Sequence, residues 1–313
     1  MPSRYLTNQE ALTFVTEKLH LRLSNFERPA PSLPLLQKIC TAFAAEVPYA
    51  SIRHLDVPVD RLNRRQLPTL EQVKDTGMNL KGGMCYEMNV FLHWLLAGLD
   101  FQVEFLLGKA YGSRVNCHLL NYVDIDGRRY LVDGGSYPMI LERLICLDFE
   151  GEVSPVTLQS IWEVRVRRTV VDGEAGYVEQ FRWTENAAIA NWKIPTDPDG
   201  WADINEFILV PRTLEEVYEP MKRSYTDATI SPIVNRVFCY RYPEGRLLQI
   251  RNTVLHTEAA ERVHLIGKRA QSQQSLVRLI VEHFGQYLPE DVVARAVSNF
   301  EVLCPHAFSS TFD

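Results

Sequence analysis

The fold turns on two stretches. The first is Lys81-Gly82-Gly83-Met84-Cys85-Tyr86-Glu87-Met88-Asn89, and the second runs from His118-Leu119-Leu120 through Asp126-Gly127 to Val132-Asp133. After the glycine pair, Met88, Phe91, Leu92, Leu95, Leu96 and Leu99 recur at i, i+3, i+4, i+7, i+8 and i+11, which is one face of a helix. Gly98 is a stop signal. The pattern predicts a helix beginning at or near Cys85, where a tight turn meets its N-terminus. Two glycines let the backbone turn closely and leave room for a ligand. The unpaired N–H groups and macrodipole at that end favour an anion. Such a place activates a thiol, and the same N–H groups suit a developing oxyanion. By itself the motif serves equally a core cysteine beside a glycine turn.

The second stretch reads as a β-hairpin. Asp126-Gly127 is a strong two-residue turn signal between His118–Ile125 and Arg128–Val132. Ile125 then pairs with Arg128, and Asp133 lies opposite Leu120, two residues from His118. Residues i and i+2 share a face, as do directly opposed residues. His118 and Asp133 become diagonal neighbours on that face. A three-residue turn would put Asp133 on the other face. Each residue has a commoner reading: a histidine at a strand start is usually structural, and an aspartate before Gly134-Gly135 is usually a turn residue. Their joint occurrence with a helix-start cysteine, in the order Cys, His, Asp, favours a nucleophile with an oriented base.

Outward from these stretches, the first hundred residues read as helical. Thr7 and Glu10 have the form of a capping box before a helix from about Asn8 to Leu19. A second helix runs from Leu35 to Ala45 and stops near Pro48. From Phe101 the period becomes alternating, with Phe101, Val103, Phe105 and Leu107 on one face. Ile161–Val171 and Tyr177–Trp183 extend the β-rich part, and Thr184–Trp201 reads as loop. Val237–Tyr242 and Arg246–Leu255 flank Pro243-Glu244-Gly245 as another hairpin. Leu276, Leu279, Ile280 and His283 suit a helix ending near Gly285, and Pro289 opens a last one.

The chain has 313 residues, 46% of them hydrophobic and 23% charged, enough for a sizeable core without staples. A net charge of -6 gives no overall basic footprint for nucleic acid. No apolar run is long enough to span a bilayer, and the N-terminus lacks a signal-peptide h-region. The expectation is a cytoplasmic protein with no nucleic-acid or membrane partner. Its six cysteines are scattered without a CxxC pair, so they read as free thiols. His256, His264, His283 and His306 lack metal-ligand spacing, and no metal is expected. His93, mid-helix, reads as structural.

Together the two stretches resemble the signature blocks of the arylamine N-acetyltransferases: Gly-Gly-x-Cys with a following Asn, then a His-Leu-Leu strand, a turn and a Val-Asp-x-Gly segment. A third, weaker block is Phe238-Cys239-Tyr240 through Pro243-Glu244-Gly245 to Val254-Leu255-His256. The resemblance spans most of residues 5–260. It implies an α+β fold with an N-terminal helical domain (1–100) carrying the nucleophile, a central β-barrel domain (101–208) carrying His and Asp, and a C-terminal α/β lid with an interdomain segment (209–313). It also implies a papain-like layout with Cys85, His118 and Asp133 as catalytic triad, supported by Asn89 and Tyr86. The cosubstrate would be acetyl-CoA or a related acyl-CoA, contacted by Arg114 and Val115. Cys117 and Tyr137 would border the pocket for an arylamine or hydrazine, a chemistry suited to xenobiotic metabolism. Lys81 departs from the family's Arg and forfeits a bidentate donor. Met88 stands where the family is often polar, and Gly134-Gly135-Ser136-Tyr137 lacks a bulky Phe.

The implied chemistry is a ping-pong transfer through a cysteine thioester. Two other readings share these residues. A transglutaminase-like or cysteine hydrolase would act on amides with the same Cys, His, Asp order. A retired enzyme scaffold would only bind.

Overall fold

The computed structural model describes residues 5–23, 29–58, 60–61, 65–110, 112–136, 143–184, 195–259 and 265–309. The first part is helical: α1 (Asn8–Thr13), α2 (Leu33–Glu46), a two-residue strand β1 (Tyr49–Ala50), α3 (Ile52–Leu55), α4 (Leu70–Met78) and α5 (Cys85–Gly98). The capping box at α1 forms, with Glu10 N–H on Thr7 Oγ1 at 3.2 Å and Thr7 N–H on Glu10 Oε2 at 2.8 Å. The helix expected to Leu19 changes character at Phe14. Residues Phe14–Lys18 make a π-helical turn, where Leu19 N–H reaches back to Phe14 O.

Helix α5 departs most from its amphipathic reading. Every residue except Glu87 is buried, so the apolar stripe is only one of several covered faces. Helices α1 and α4 cover one side and the first strands after it cover another. A helix buried all round is a central element rather than a surface one.

Next come β2 (Gln102–Ala110), β3 (His118–Ile125), β4 (Arg128–Val132), β5 (Ile145–Cys146), β6 (Thr157–Gln159), β7 (Trp162–Val171), β8 (Glu174–Trp183) and β9 (Ala202–Phe207). They form one antiparallel sheet in the order β5-β4-β3-β2-β9-β8-β7-β6, which curls into a nearly closed barrel. The β3–β4 register is the expected one: Ile125 pairs with Arg128 and Asn121 with Val132. Asp126 and Gly127 have φ of 54° and 76°, as a type I′ turn requires. Residues 185–194 of the expected 184–201 loop lie outside the described residues. The described remainder is irregular up to Trp201 and then enters β9.

The last part holds α6 (Leu214–Thr226), β10 (Phe238–Arg241), β11 (Leu248–Arg251), β12 (Val254–Glu258), β13 (Leu265–Arg269), α7 (Gln273–Phe284) and α8 (Glu290–Leu303). The second sheet runs β1-β10-β11-β12-β13, so Tyr49 and Ala50 leave the helical part to pair with Tyr240 and Cys239. One face of this sheet, with Cys239, Ile250 and Leu255, packs with α7 and α8 in a second core that also takes Ala50, Ile52 and Leu55. The other face, with Phe238 and Tyr240, joins the main core. Among the described residues no helix is long and apolar enough to cross a membrane.

Candidate active site

Cys85 is the first residue of α5. Gly82 and Gly83 bring the chain there, although the space they free is not for a ligand. Gly82 has φ 69°, and a Cβ on it would lie 2.0 Å from Pro48 O. A Cβ on Gly83 would lie 2.6 Å from Glu87 Cβ. Gly82 therefore lets the chain entering β1 pass close and Gly83 leaves room for the Glu87 side chain, while Tyr49 bridges Gly83 and Ala50 N–H bonds Gly83 O at 2.9 Å. Lys81 lies outside this, in an exposed pair with Asp75 at 2.6 Å, of a kind worth less than about 1 kcal/mol.

His118 opens β3 and Asp133 follows β4. The hairpin register sets them diagonally, and His118 Nε2 meets Asp133 Oδ2 at 2.5 Å. Cys85 is near enough to the ring to favour its protonated form. His118 and Asp133 are 5% and 3% exposed. Burial works against a charged imidazole. The charge and hydrogen bond of Asp133, with those of Cys85, outweigh it and hold the His118 pKa well above its usual value.

Asp133 is held from behind. Its Oδ1 accepts Asn89 Nδ2 at 2.9 Å and Gly135 N–H at 2.9 Å. Asn89, one turn along α5 from Cys85, also donates to Leu119 O at 2.7 Å and accepts Gly134 N–H at 2.8 Å. One amide thus joins α5 to β3 and to the segment that follows β4. A Cβ on Gly135 would lie 2.8 Å from Cys85 Cα and 3.1 Å from Met88 Cβ, so only glycine permits this approach. Met88 is itself buried.

Cys85 and His118 open onto a cavity of about 570 Å³, which Arg114, Val115, Cys117 and Ser136 also line. Arg114 and Val115 are exposed at its rim. Cys117 is buried, and its Sγ accepts Ala110 N–H at 3.3 Å. It precedes β3 and lines the cavity beside His118. Tyr86 is buried outside the cavity lining, against the edge of Tyr225 at 6.2 Å. Tyr137 and His264 lie outside the described residues. His93 stacks on Phe105 at 3.8 Å and contacts Asn121 Oδ1 through Nδ1 at 3.2 Å. Burial lowers its pKa to about 4, as suits a neutral structural ring.

Four residues at or behind the cavity wall, Glu179, Asn205, Ser224 and Tyr225, carry no mark in the signature stretches. Glu179 on β8 is 2% exposed and accepts Asn205 Nδ2 at 2.8 Å. The same Asn205 amide reaches Ser136 Oγ at 3.0 Å on the cavity wall. Burial, then the charge of Asp133, raises the Glu179 pKa to about 7. Ser224 and Tyr225 on α6 also line the cavity. The Thr213-to-Glu216 capping box signals their helix, but Pro220 inside it reads as a breaker.

The N-acetyltransferase family model matches residues 32–293 of the chain. Arylamine N-acetyltransferase 2 of Mesocricetus auratus is 24% identical over 245 residues, 74% of this chain and 82% of that protein. Arylamine N-acetyltransferase 1 of Homo sapiens is 24% identical over 235 residues, 70% of this chain and 77% of that protein. Among solved structures, the arylamine N-acetyltransferase of Mycobacterium abscessus superposes with a TM-score of 0.72 at 18% identity, covering 94% of this chain and 95% of that one. That of Mycobacterium marinum in complex with CoA gives 0.72 at 18%, covering 94% and 99%.

Proposed function

The chain belongs to the arylamine N-acetyltransferase family, and from that we propose that it transfers an acetyl or related acyl group from CoA to an arylamine or hydrazine through a thioester on Cys85. The observation that carries the reading is the meeting of Cys85, His118 and Asp133, from a helix start and a hairpin, at one cavity.

In the first step the Cys85 proton passes to His118 and the sulfur attacks the acyl carbonyl. The C–S bond to Cys85 forms, the bond to CoA breaks, and the CoA sulfur takes the proton from His118. The enzyme thioester is close in energy to the donor thioester, so the acyl group stays activated. In the second step the amine nitrogen attacks that carbonyl, His118 takes a proton from nitrogen, and the Cys85 sulfur leaves. Asp133 fixes the ring tautomer and stabilises its cation. Asn89 and Gly135 N–H hold Asp133 in place for that task. For the oxyanion the reading uses Cys85 N–H, which meets no acceptor among the described residues. Arg114 and Val115 at the rim suit the donor's approach, and the acceptor enters beside Cys117 and Ser136.

Acetyl-CoA given without amine should leave one acetyl group on the protein and release one CoA, read by intact mass and thiol titration. Cys85→Ala should show neither. No adduct and no CoA release with any common acyl-CoA would sink the proposal.

A further inference from the structure

Two consecutive residues of α6 touch both halves of the site. The Tyr225 phenol oxygen accepts Tyr86 N–H at 3.0 Å and donates to Glu87, and Glu87 Oε2 accepts Met84 N–H at 3.1 Å. Met84, Tyr86 and Glu87 flank Cys85 in the chain. The Ser224 hydroxyl donates to Cys117 O at 2.9 Å, and Cys117 immediately precedes His118. Ser224 and Tyr225 are 2% and 1% exposed, and both line the cavity.

Cys85 and His118 belong to different elements, and nothing covalent sets the gap between them. Filling the space would need only an apolar side chain. Instead the Tyr225 hydroxyl bonds Tyr86 N–H and the Glu87 carboxylate beside Cys85, and the Ser224 hydroxyl bonds the backbone carbonyl beside His118. We propose that Ser224 and Tyr225 are positioning residues that fix the separation of the Cys85 sulfur from the His118 ring. The proposal rests on the acyl-transfer reading for what that separation serves. Each hydroxyl holds one side of the gap to α6, so losing either one frees one side. A misplacement of about 1 Å costs reactions of this kind roughly 100-fold.

The test compares Tyr225→Phe, Ser224→Ala and Ser224→Thr with the unchanged protein. One readout is the single-turnover rate of acetyl loading. The other is alkylation of Cys85 by iodoacetamide across pH, followed by peptide mass. Tyr225→Phe and Ser224→Ala should each slow loading by roughly 10-fold or more, with half-saturating acetyl-CoA changed by less than about twofold. Their alkylation profiles should move towards that of a thiol without its imidazole. Ser224→Thr, which keeps the hydroxyl, should restore both. Because the sites act on one distance, the double variant should lose less than the product of the single losses. Unchanged loading and alkylation profiles in a folded Tyr225→Phe or Ser224→Ala protein overturn the proposal, and either variant suffices if the other does not fold. Alkylation needs no acyl donor. A protein that never loads, yet shows the profile shift, overturns acyl transfer and supports the positioning.

Discussion

Glu179 sits on β8 with its carboxyl walled in, and its Oε1 meets no donor among the described residues. Burial and the charge of Asp133 push its pKa from the usual carboxylate range to about 7, against the pull of the Asn205 hydrogen bond. Below that value the folded protein keeps a proton that the unfolded chain gives up near pH 4.5. Between about 4.5 and 7 the folded state binds more protons, so stability falls as pH rises through that window and levels off above it. The loss from this one group is about 3 kcal/mol at most. Glu87, raised by burial to about 6, adds a smaller slope of the same sign. Glu179→Gln should therefore be more stable than the unchanged protein at pH 8, with the gain shrinking towards pH 4. Urea melts at both ends of the window check it. An equal pH slope in the two proteins would assign the proton elsewhere. Nothing in the sequence near Glu179 announces this, since Tyr177 to Phe181 are buried on both faces of β8 and show no alternation.

At the scale of elements, the β3–β4 hairpin carries the geometry, and its turn can be tested without touching the site. Gly127 has φ 76° and open space around its Cα, so Gly127→Ala costs only backbone strain, about 1 kcal/mol. A lowered melting temperature with Cys85 loading unchanged is expected. Inserting one glycine between Asp126 and Gly127 is different in kind. If β4 keeps its distance from the turn, Asp133 turns to the other face, and acetyl loading should be lost in a chain whose circular dichroism is kept. Loading that survives would mean the strand re-registers. This hairpin and the start of α5 were legible because their signals are local: a two-residue turn, a period of two, a period near 3.6. Helix α6 was not located, although Val217, Met221 and Tyr225 repeat at helical spacing, because Pro220 argues against it. Within that helix the Ser224 hydroxyl bonds Pro220 O at 3.3 Å as well as Cys117 O.

At the scale of the molecule, the three-part α+β fold was readable from the change of period along the chain. The joints between parts were not. Pro48 looked like a helix stop, and it is also the entry to β1, which crosses to the second sheet. The glycine pair looked like room for a ligand, and Gly82 is room for the chain entering that strand while Gly83 is room for Glu87. Such joins depend on residues far apart in sequence, and no local pattern reports them. Tyr240, 104 positions after Ser136, hydrogen-bonds its carbonyl and stacks on Tyr49 at 4.8 Å.

The crossing of β1 bears on synthesis. A ribosome delivers Cys85, His118 and Asp133 well before it delivers Ser224, Tyr225 and β10. The nascent chain then owns all three side chains of the proposed site but neither the helix that holds the backbone beside Cys85 and His118 nor the strand that pairs with Tyr49. Contacts of such separation close late and slowly. A translation product arrested after Arg212, before α6 and β10, should stay unloaded by acetyl-CoA while the completed chain, released from the same lysate, loads.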